Sequence, residues 1–296
     1  RFDYSGGASC PSLLLEPSRT NILEFSEYLG SWFSSGGTLT PNAAISPEGV
    51  QNAYSYTNSA FTTLRDSVTL STSTQYTFSF YAKNVDATNA RYRVYDDTNA
   101  TDIISATSYF SQLSTNEWKR IEVTFTTSAT STAYGVYLES GNQSGEILFY
   151  GAQVEEGSYP TSYIPNHSGG SETRAADVCS GAGDSSTFND SEGVLYAEIA
   201  ALANDGNIRY LSLSDGGSNN RVVILFDSAA DRIRAIVSSG GVKYFDENTE
   251  SYDVLNYNKI AVRYKQADFS LWVNGTNVAS VSSGSAPIGL NELSYN

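Results

Sequence analysis

The sequence is poor in the residue types that build most metal centres and nucleophilic catalytic sites. Its 296 residues contain no methionine, one histidine (His167) and two cysteines (Cys10 and Cys179), and charged residues make up only 17%. One histidine and two cysteines cannot supply the ligands of the common zinc sites. His167 lies in a segment rich in proline, glycine and serine, where a Ser–His–Asp or Cys–His arrangement has little support.

Long hydrophobic runs are also missing. No stretch of 18 apolar residues occurs, so the sequence predicts no membrane-spanning helix. No signal peptide is recognisable, and the chain starts at Arg1 without any methionine, from which we expect a fragment or a processed product. The chain stops at Asn296 inside a predicted strand, so we expect the last domain to be incomplete at its C-terminus.

Basic residues are few relative to acidic ones. The chain has 32 Asp and Glu against 17 Lys and Arg, which gives a net charge of −15 spread over both halves. An acidic surface repels phosphate backbones and disfavours nucleic acid as a partner. Two interpretations of the charge stay open: it serves solubility, or clustered carboxylates bind Ca²⁺.

Aromatic residues and strand periodicity, by contrast, are abundant. The sequence has 21 tyrosines and 13 phenylalanines. In the first half, apolar and polar residues alternate along Thr74–Lys83, Arg91–Tyr95, Lys119–Thr127 and Tyr134–Glu139. A period of two over such runs predicts strands with one buried face, and sheets solvated on one side are rarely parallel.

A segment without apolar periodicity separates the two halves. It begins at Pro165, and we interpret residues 166–178 as an interdomain linker. The strand pattern then resumes in Val194–Leu202, Ile208–Ser214, Arg221–Asp227, Arg232–Val237, Lys259–Tyr264 and Phe269–Val273. We therefore predict an all-β chain of two consecutive antiparallel β-sandwiches with few or no helices, one over residues 1–165 and one over 179–296.

The same alternation predicts which side chains of the first domain face outward. With Phe78, Phe80, Val94, Val136 and Leu138 in the core, their neighbours lie on an open face. The candidate glycan-binding residues among these neighbours are Tyr81, Arg93, Tyr95, Tyr137 and Glu139. Aromatic rings can stack on the apolar face of a sugar, and planar polar groups can bond its hydroxyls. The alternative is an ordinary amphipathic sheet surface, because tyrosine is a good strand former.

Trp272 is a further candidate for surface recognition in the second half. It alternates with Leu271 and Val273, which are predicted to face the core, so its indole is predicted to face outward.

Pairs of carboxylates for glycoside cleavage are not recognisable. The spacings Glu-x-Asp-x-x-Glu and Glu-x-Asp-x-Glu, used by concanavalin-like hydrolases, do not occur. Asp96 and Asp97 are adjacent in sequence, so their side chains point to opposite faces of a strand, and with Asp102 they are better explained as a polar loop. We therefore predict no catalytic residue and no enzymatic activity.

Longer motifs in the two halves carry a resemblance to known families. The residues in the first half are Ser12–Asn21, Trp32, Asn42–Gly49, Trp118 with Lys119 and Arg120, Gly151–Glu155 and Tyr159–Pro165. With these residues the first half resembles a module of bacteriophage tail-fibre and minor structural proteins, which is similar to jelly-roll carbohydrate-binding modules. The second half, with Gly193–Glu198 and Phe269–Gly275, resembles laminin-G or concanavalin A-like lectin domains.

The resemblance implies further expectations. Related jelly rolls hold a structural Ca²⁺ where their terminal strands meet, which points to Glu16, Gln153 and Glu155 as ligands; no other cofactor is expected. Lectin-like domains end on a strand that pairs with their first strand, and this chain is predicted to stop before it. Separately from the resemblance, Cys10 and Cys179 are either bridged or free, and the sequence leaves both open.

Taken with the resemblance, the sequence favours a non-catalytic role in which a phage fibre or virion surface protein attaches to host glycans. The expected partners are a cell-surface or environmental polysaccharide and other fibre subunits, often in a homotrimer, and the expected location is extracellular on the virion surface. One alternative is a carbohydrate-binding segment of a secreted bacterial polysaccharide-degrading enzyme or adhesin. Another is a structural spacer in a virion or surface filament.

Overall fold

The chain is built almost entirely from antiparallel strands. A computed structural model describes residues 2–3, 11–58, 61–142 and 144–295. Within these residues the only helical elements are two short 3-10 turns, Leu29–Ser31 and Phe110–Gln112. Two compact units follow each other along the chain, Arg1–Ala176 and Asp177–Asn296, and each contains two large sheets. The predicted fold class, two consecutive antiparallel β-sandwiches, is confirmed.

The strands are numbered in chain order. Those of the first unit are β1 (Phe2–Asp3), β2 (Ser12–Leu13), β3 (Arg19–Asn21), β4 (Phe33–Ser35), β5 (Thr38–Ile45), β6 (Gln51–Asn58), β7 (Phe61–Thr69), β8 (Gln75–Asn84), β9 (Arg91–Asp96), β10 (Thr101–Ser108), β11 (Lys119–Thr126), β12 (Ala133–Asn142), β13 (Gly145–Glu156) and β14 (Glu172–Arg174). Those of the second unit are β15 (Cys179–Ala182), β16 (Glu192–Ile199), β17 (Arg209–Ser214), β18 (Arg221–Phe226), β19 (Ile233–Ser239), β20 (Val242–Thr249), β21 (Asn258–Lys265), β22 (Phe269–Val273), β23 (Thr276–Val281) and β24 (Glu292–Tyr295).

Two five-stranded sheets form the sandwich of the first unit. Sheet A has the order β10-β9-β12-β7-β4, and sheet B has the order β11-β8-β13-β6-β5. From β6 to β13 the chain crosses from one sheet to the other at each step except the β9–β10 hairpin, which lies within sheet A; such crossings are typical of a jelly roll. Side chains from both sheets make one hydrophobic core, among them Phe78, Phe80 and Phe149 from sheet B and Val94 and Val136 from sheet A, all fully buried.

Strand β8 shows why these residues form this sheet. Phe78 and Phe80 point into the core, while Ser79 and Tyr81 between and after them point away from it. The register with β11 places Ile121 opposite Phe80 and Val123 opposite Phe78, so apolar residues meet on one face. Sequence alternation therefore predicts which face of β8 points into the core.

The terminal segments of the first unit cover part of the outer face of sheet B. β3 pairs with β14, so Arg19 lies opposite Arg174. The Nδ2 of the buried Asn21 donates to the carbonyl of Ile164 at 2.9 Å, and the Ile22 amide donates to the carbonyl of Val154 at 2.9 Å. The first bond joins the N-terminal segment to the C-terminal one, and the second attaches the N-terminal segment to strand β13.

Most of the segment 166–178, predicted to be a linker, is part of the first unit in the structure. Asn166 is only 1% exposed, and its Nδ2 donates to the carbonyl of Leu23 at 2.8 Å. β14 lies in the same segment and pairs with β3, so the first unit extends to Ala176. The polar residues of segment 166–176 are ordered because they form hydrogen bonds within the first unit. A search for apolar periodicity does not detect such hydrogen bonds.

The second unit also has two antiparallel sheets around one core. Sheet C has the order β15-β24-β17-β18-β19-β20, and sheet D has the order β16-β21-β22-β23. Phe245, Phe269, Ile260 and Leu271 are among its fully buried core residues.

The last strand of the described chain lies inside sheet C and does not pair with β16. Strand β24 pairs with both β15 and β17, and Leu293 lies opposite Leu213. Strand β16, which covers most of the predicted strand Val194–Leu202, lies at the edge of sheet D and pairs only with β21 among the described strands.

Candidate functional site

The outer face of sheet A brings together three of the predicted glycan-binding residues. Arg93 and Tyr95 on β9 point away from the core, because Val94 between them is fully buried in it. Tyr137 on the neighbouring β12 lies directly opposite Arg93 in the strand register. The three side chains are therefore adjacent on one surface.

Arg93 is stacked between the two tyrosines. Its guanidinium carbon lies 4.2 Å from the ring centroid of Tyr95 and 5.4 Å from that of Tyr137. Both distances are within the range of cation–π attraction. The Nε of Arg93 also donates to Asp102 Oδ1 at 2.5 Å across the β9–β10 hairpin, which fixes the guanidinium in place.

A second arginine completes this arrangement from the other side. Arg65 on β7 lies opposite Tyr137, with its guanidinium carbon 5.4 Å from that ring centroid. Its Nη1 donates to the Tyr137 hydroxyl and to Asp97 Oδ1, both at 2.9 Å. Burial by itself lowers the pKa of Arg65. The hydrogen bonds to Tyr137 and Asp97 raise this pKa by more than burial lowers it, so the net shift is upward. Arg65 is therefore a fixed positive charge.

We name this surface the Arg–Tyr face; its residues are Arg65, Arg93, Tyr95, Asp97, Asp102 and Tyr137. The side chains of its two arginines and two aspartates are between 24% and 35% exposed, so they are accessible but held by their neighbours. The two positive and two negative charges balance each other. Tyr137 is only 5% exposed, so the face can offer planar donors, carboxylate acceptors and the ring of Tyr95 to a polar ligand.

Gly135 makes room for the Arg–Tyr face. A Cβ at this position would lie 2.9 Å from Arg65 Nη1 and 3.1 Å from Tyr137 Cε2, which is closer than side-chain atoms normally approach. Glycine is therefore required for the guanidinium and the ring to lie flat over β12.

Glu139, predicted on the same open face, is instead fully buried. The pairing of β12 with β7 has a bulge between Tyr137 and Glu139, so that Glu139 lies opposite the core residue Leu64. Its Oε2 accepts a hydrogen bond from the Arg91 amide at 3.4 Å. Burial raises the pKa of the nearby Tyr109 hydroxyl, and the Glu139 charge raises it further. Strict alternation fails here because a bulge moves every following side chain to the other face.

Tyr81, also predicted on the open face, lies on sheet B, with the core between it and the Arg–Tyr face. Its ring centroid is 6.3 Å from that of Tyr150, and the guanidinium carbon of Arg120 is 5.5 Å from it. Tyr150 is only 3% exposed, and its hydroxyl donates to Glu27 Oε1 at 3.1 Å. The terminal segments therefore cover part of the outer face of sheet B. Tyr81 and Arg93 lie on different sheets and do not form one site.

Trp272 lies in the second unit, on the outer face of sheet D. It is 38% exposed, while Leu271 and Val273 on either side are fully buried. The outward direction predicted for Trp272 agrees with this position. The other predicted glycan-binding residues all lie in the first unit.

Gln153 and Glu155, two of the predicted calcium ligands, are fully buried side by side. Gln153 Nε2 donates to Glu155 Oε1 at 2.5 Å. The amide and hydroxyl of Thr161 donate to the two Glu155 oxygens, both at 2.7 Å, and Arg19 Nε lies 3.9 Å from Oε2. The carboxylate is thus satisfied by protein donors.

Glu16, the third predicted ligand, is neutralised in the same way. It accepts the Ser162 amide at 2.6 Å and pairs with Arg174 Nη1 at 3.0 Å. Ca²⁺ takes six to eight oxygen ligands, roughly, and an arginine beside each carboxylate does not fit this requirement. In the described part of the chain, no group of three or more His, Cys, Asp or Glu residues could hold a metal ion. Calcium binding here stays a prediction.

Only one cysteine of the predicted pair, Cys179, lies among the described residues. Cys179 is half-buried at the start of β15, and Cys10 lies outside the described residues. A bridge between Cys10 and Cys179 stays a prediction.

Comparison with known families identifies the segment that carries the Arg–Tyr face. Residues 23–145 match the family model of the carbohydrate binding domain. The match contains all six residues of the face and supports a carbohydrate-binding role for this segment. Domains of this family are non-catalytic by themselves. No curated protein matches the sequence.

Solved structures show distant likenesses. A CBM4 domain is 13% identical over 47% of this chain and 94% of its own, with a TM-score of 0.33. The CBM22-1 xylan-binding domain of Paenibacillus barcinonensis Xyn10C is 15% identical over 50% of this chain and 97% of its own, with a TM-score of 0.34. Tailspike protein 4 of bacteriophage CBA120 is 13% identical over 46% of this chain but only 21% of its own, with a TM-score of 0.37. At such values these likenesses do not indicate a ligand.

No helix among the described residues is long and apolar enough to cross a membrane.

Proposed function

We propose that the first unit binds a polysaccharide, without cleaving it, through the Arg–Tyr face. The observation that carries the proposal is the stack of Arg93 between Tyr95 and Tyr137 on an accessible sheet surface inside the matched segment. A sugar offers hydroxyl pairs at its edge and an apolar C–H face, and this surface offers partners for both.

Arg93 is the main donor in this proposal. The hydrogen bonds described for it use Nε, which is bound to Asp102, and none uses its two terminal nitrogens. These nitrogens form a planar fork that can bond two neighbouring oxygens of a sugar. Arg65 has its donors directed to Asp97, Tyr137 and Ser67, so it holds the face in shape.

The contacts of the Asp97 and Asp102 carboxylates agree with binding without cleavage. Glycoside hydrolysis requires one carboxylic acid that stays protonated and a second carboxylate across the bond. Asp97 is bonded to Arg65 at 2.9 Å and Asp102 to Arg93 at 2.5 Å, so both carboxylates already have arginine partners. In this proposal their role is to orient the guanidinium groups.

For the whole protein we propose attachment of a phage fibre or virion surface protein to host glycans, outside the cell. Domains of the matched family are typically extracellular, which agrees with this proposal. The proposed partners are a surface polysaccharide and other fibre subunits, and repeated weak sites in an oligomer would increase avidity. An adjoining hydrolase domain in the intact reading frame would instead favour the enzyme-associated alternative.

Affinity electrophoresis of the full chain tests the proposal. The gels contain one polysaccharide each: hydroxyethylcellulose, arabinoxylan, galactomannan or alginate. We expect retardation in at least one gel, and about tenfold weaker binding for Arg93→Ala and Tyr95→Ala, the size of one aromatic or bidentate contact. Isothermal titration with the retarding polysaccharide measures the change.

Arg120→Ala is the matched control, because Arg120 lies over Tyr81 on sheet B much as Arg93 lies over Tyr95. Normal binding by Arg120→Ala together with loss in Arg93→Ala supports the Arg–Tyr face. The reverse pattern would move the site to Tyr81 on sheet B, and unchanged binding in both would reject either surface.

A further inference from the structure

The outer face of sheet D exposes two aromatic rings in one row. Tyr196 on β16 is 56% exposed and Trp272 on β22 is 38% exposed. Both lie opposite Ala261 of the central strand β21, one on each side. Two strand spacings separate them, which places their backbones about 9–10 Å apart.

The indole of Trp272 lies along the sheet. Its Nε1 donates to the Ser270 hydroxyl at 3.0 Å, two residues earlier on the same face. Ser270 is fully buried, although it alternates with the core residues Phe269 and Leu271 and so points away from the core. The edge of the indole that carries Nε1 is therefore held against Ser270, and 38% of the Trp272 surface stays exposed to solvent.

The residue between the rings is too small to shield them. Ala261 offers a single methyl group between Tyr196 and Trp272, and both aromatic side chains stay exposed beside it. Asn277 on β23 lies opposite Trp272 at one end of the row and adds a planar amide.

The charges around the row are compensated. Arg263, one step along β21, bonds to Asp268, and Lys265 pairs with Glu192 at 2.7 Å. A strongly charged ligand therefore gains little here, whereas an uncharged ligand with an apolar face gains the ring contacts.

We infer that Tyr196, Ala261 and Trp272 form a second polysaccharide-binding platform. This inference rests on the proposed function only for the class of ligand. A neutral polysaccharide lies across the strands of sheet D, with one sugar ring on each aromatic side chain. The platform is separate from the Arg–Tyr face and lies in the other unit.

The test uses the full chain, with Arg93→Ala and Tyr95→Ala in place to weaken the first site. The probes are hydroxyethylcellulose, arabinoxylan and galactomannan, with alginate as the acidic comparison. We expect Trp272→Ala and Tyr196→Ala each to weaken the remaining binding about tenfold, and Trp272→Tyr to restore most of it. Tyr210→Ala is the matched control, because Tyr210 is a 36% exposed aromatic residue on sheet C.

Fluorescence gives a second measurement. Trp272 is more exposed than Trp32 and Trp118, so a polysaccharide on the platform should protect it from quenching by acrylamide. Protection that disappears in Trp272→Phe supports the platform. Unchanged binding in the Trp272 and Tyr196 variants would overturn it while leaving the Arg–Tyr face intact.

Failure of the two proposals can be told apart. If no polysaccharide retards the unmodified chain, the proposed function fails as well. If Trp272→Ala changes the oligomeric state by light scattering and not the sugar affinity, the face is a protein contact and the platform is rejected.

Discussion

Replacing Asp66 by asparagine should stabilise the first unit at neutral pH and have little effect in acid. Asp66 lies on β7 next to Arg65, opposite the buried Val136. Burial raises the pKa of its carboxyl to about 6; the Ser67 amide and Arg65 lower it and the Glu24 charge raises it. The charged form is therefore disfavoured in the folded protein.

The sign and the size follow from this pKa. Because the folded-state pKa lies above the ordinary value, the folded protein holds a proton that the unfolded chain releases between about pH 4 and 6. The stabilising contribution is complete below pH 4 and is lost as the pH rises through 6. Two pKa units correspond to about 3 kcal/mol, and partial exposure reduces this to about 1–2 kcal/mol. The asparagine side chain carries no charge and avoids that loss.

Urea unfolding between pH 4 and 8, followed by tryptophan fluorescence, measures the effect. Trp32 is buried in the first unit and reports its unfolding. We expect Asp66→Asn to raise the free energy of unfolding above pH 6.5 and to match the unmodified protein at pH 4. Glu24→Gln is the control and should give a smaller gain, since it removes only the neighbouring charge. Parallel pH profiles for Asp66→Asn and the unmodified chain would refute the reasoning.

Other residues allow three further predictions. Asp96→Ala should lower the Tm by about 3–6 °C in a thermal scan, because the carboxylate caps the amides of Thr98 and Asn99. Burial raises the pKa of Asp96, but bonds from Asn99, Ser131 and Ser128 lower it to about 2, so this contribution should be lost from pH 4 downward. Adding EDTA should leave the Tm unchanged, because arginines neutralise the predicted calcium ligands; a fall of several degrees would show that an ion is bound. Gly135→Val should weaken polysaccharide binding about tenfold with little change in unfolding, measured by titration, and normal binding would contradict the role of the Arg–Tyr face.

Strands with regular alternation of apolar and polar residues could be predicted from the sequence, whereas β13 could not. Strand β11 has apolar and polar residues in strict alternation, and its predicted span, Lys119–Thr127, exceeds the observed strand by one residue. Strand β13 is different, since Ile147–Glu155 are all buried between the core and the terminal segments. Apolar and polar residues do not alternate along β13, so a search for a period of two does not reveal this strand.

The candidate site was predictable in part for the same reason. Arg93, Tyr95 and Tyr137 lie on one open face because the core residues between them fix their direction. Arg65 was missed because its strand, β7, carries polar residues on both faces and has no clear alternation. Glu139 was misplaced because a bulge, which no residue of the sequence marks, turns it into the core.

The sequence by itself determined that this protein is all-β and which side chains of its alternating strands face outward, because a strand has a period of two and apolar side chains leave water. Only the tertiary structure decided which of those faces coincide: Tyr81 on one sheet of the first unit, Arg93 and Tyr95 on the other, and Trp272 in the second unit. It also decided that arginines, attached through terminal segments far apart in sequence, neutralise the buried Glu16 and Glu155. Such contacts depend on the order of strands in a sheet and on bulges, and neither is encoded by the local pattern of residues.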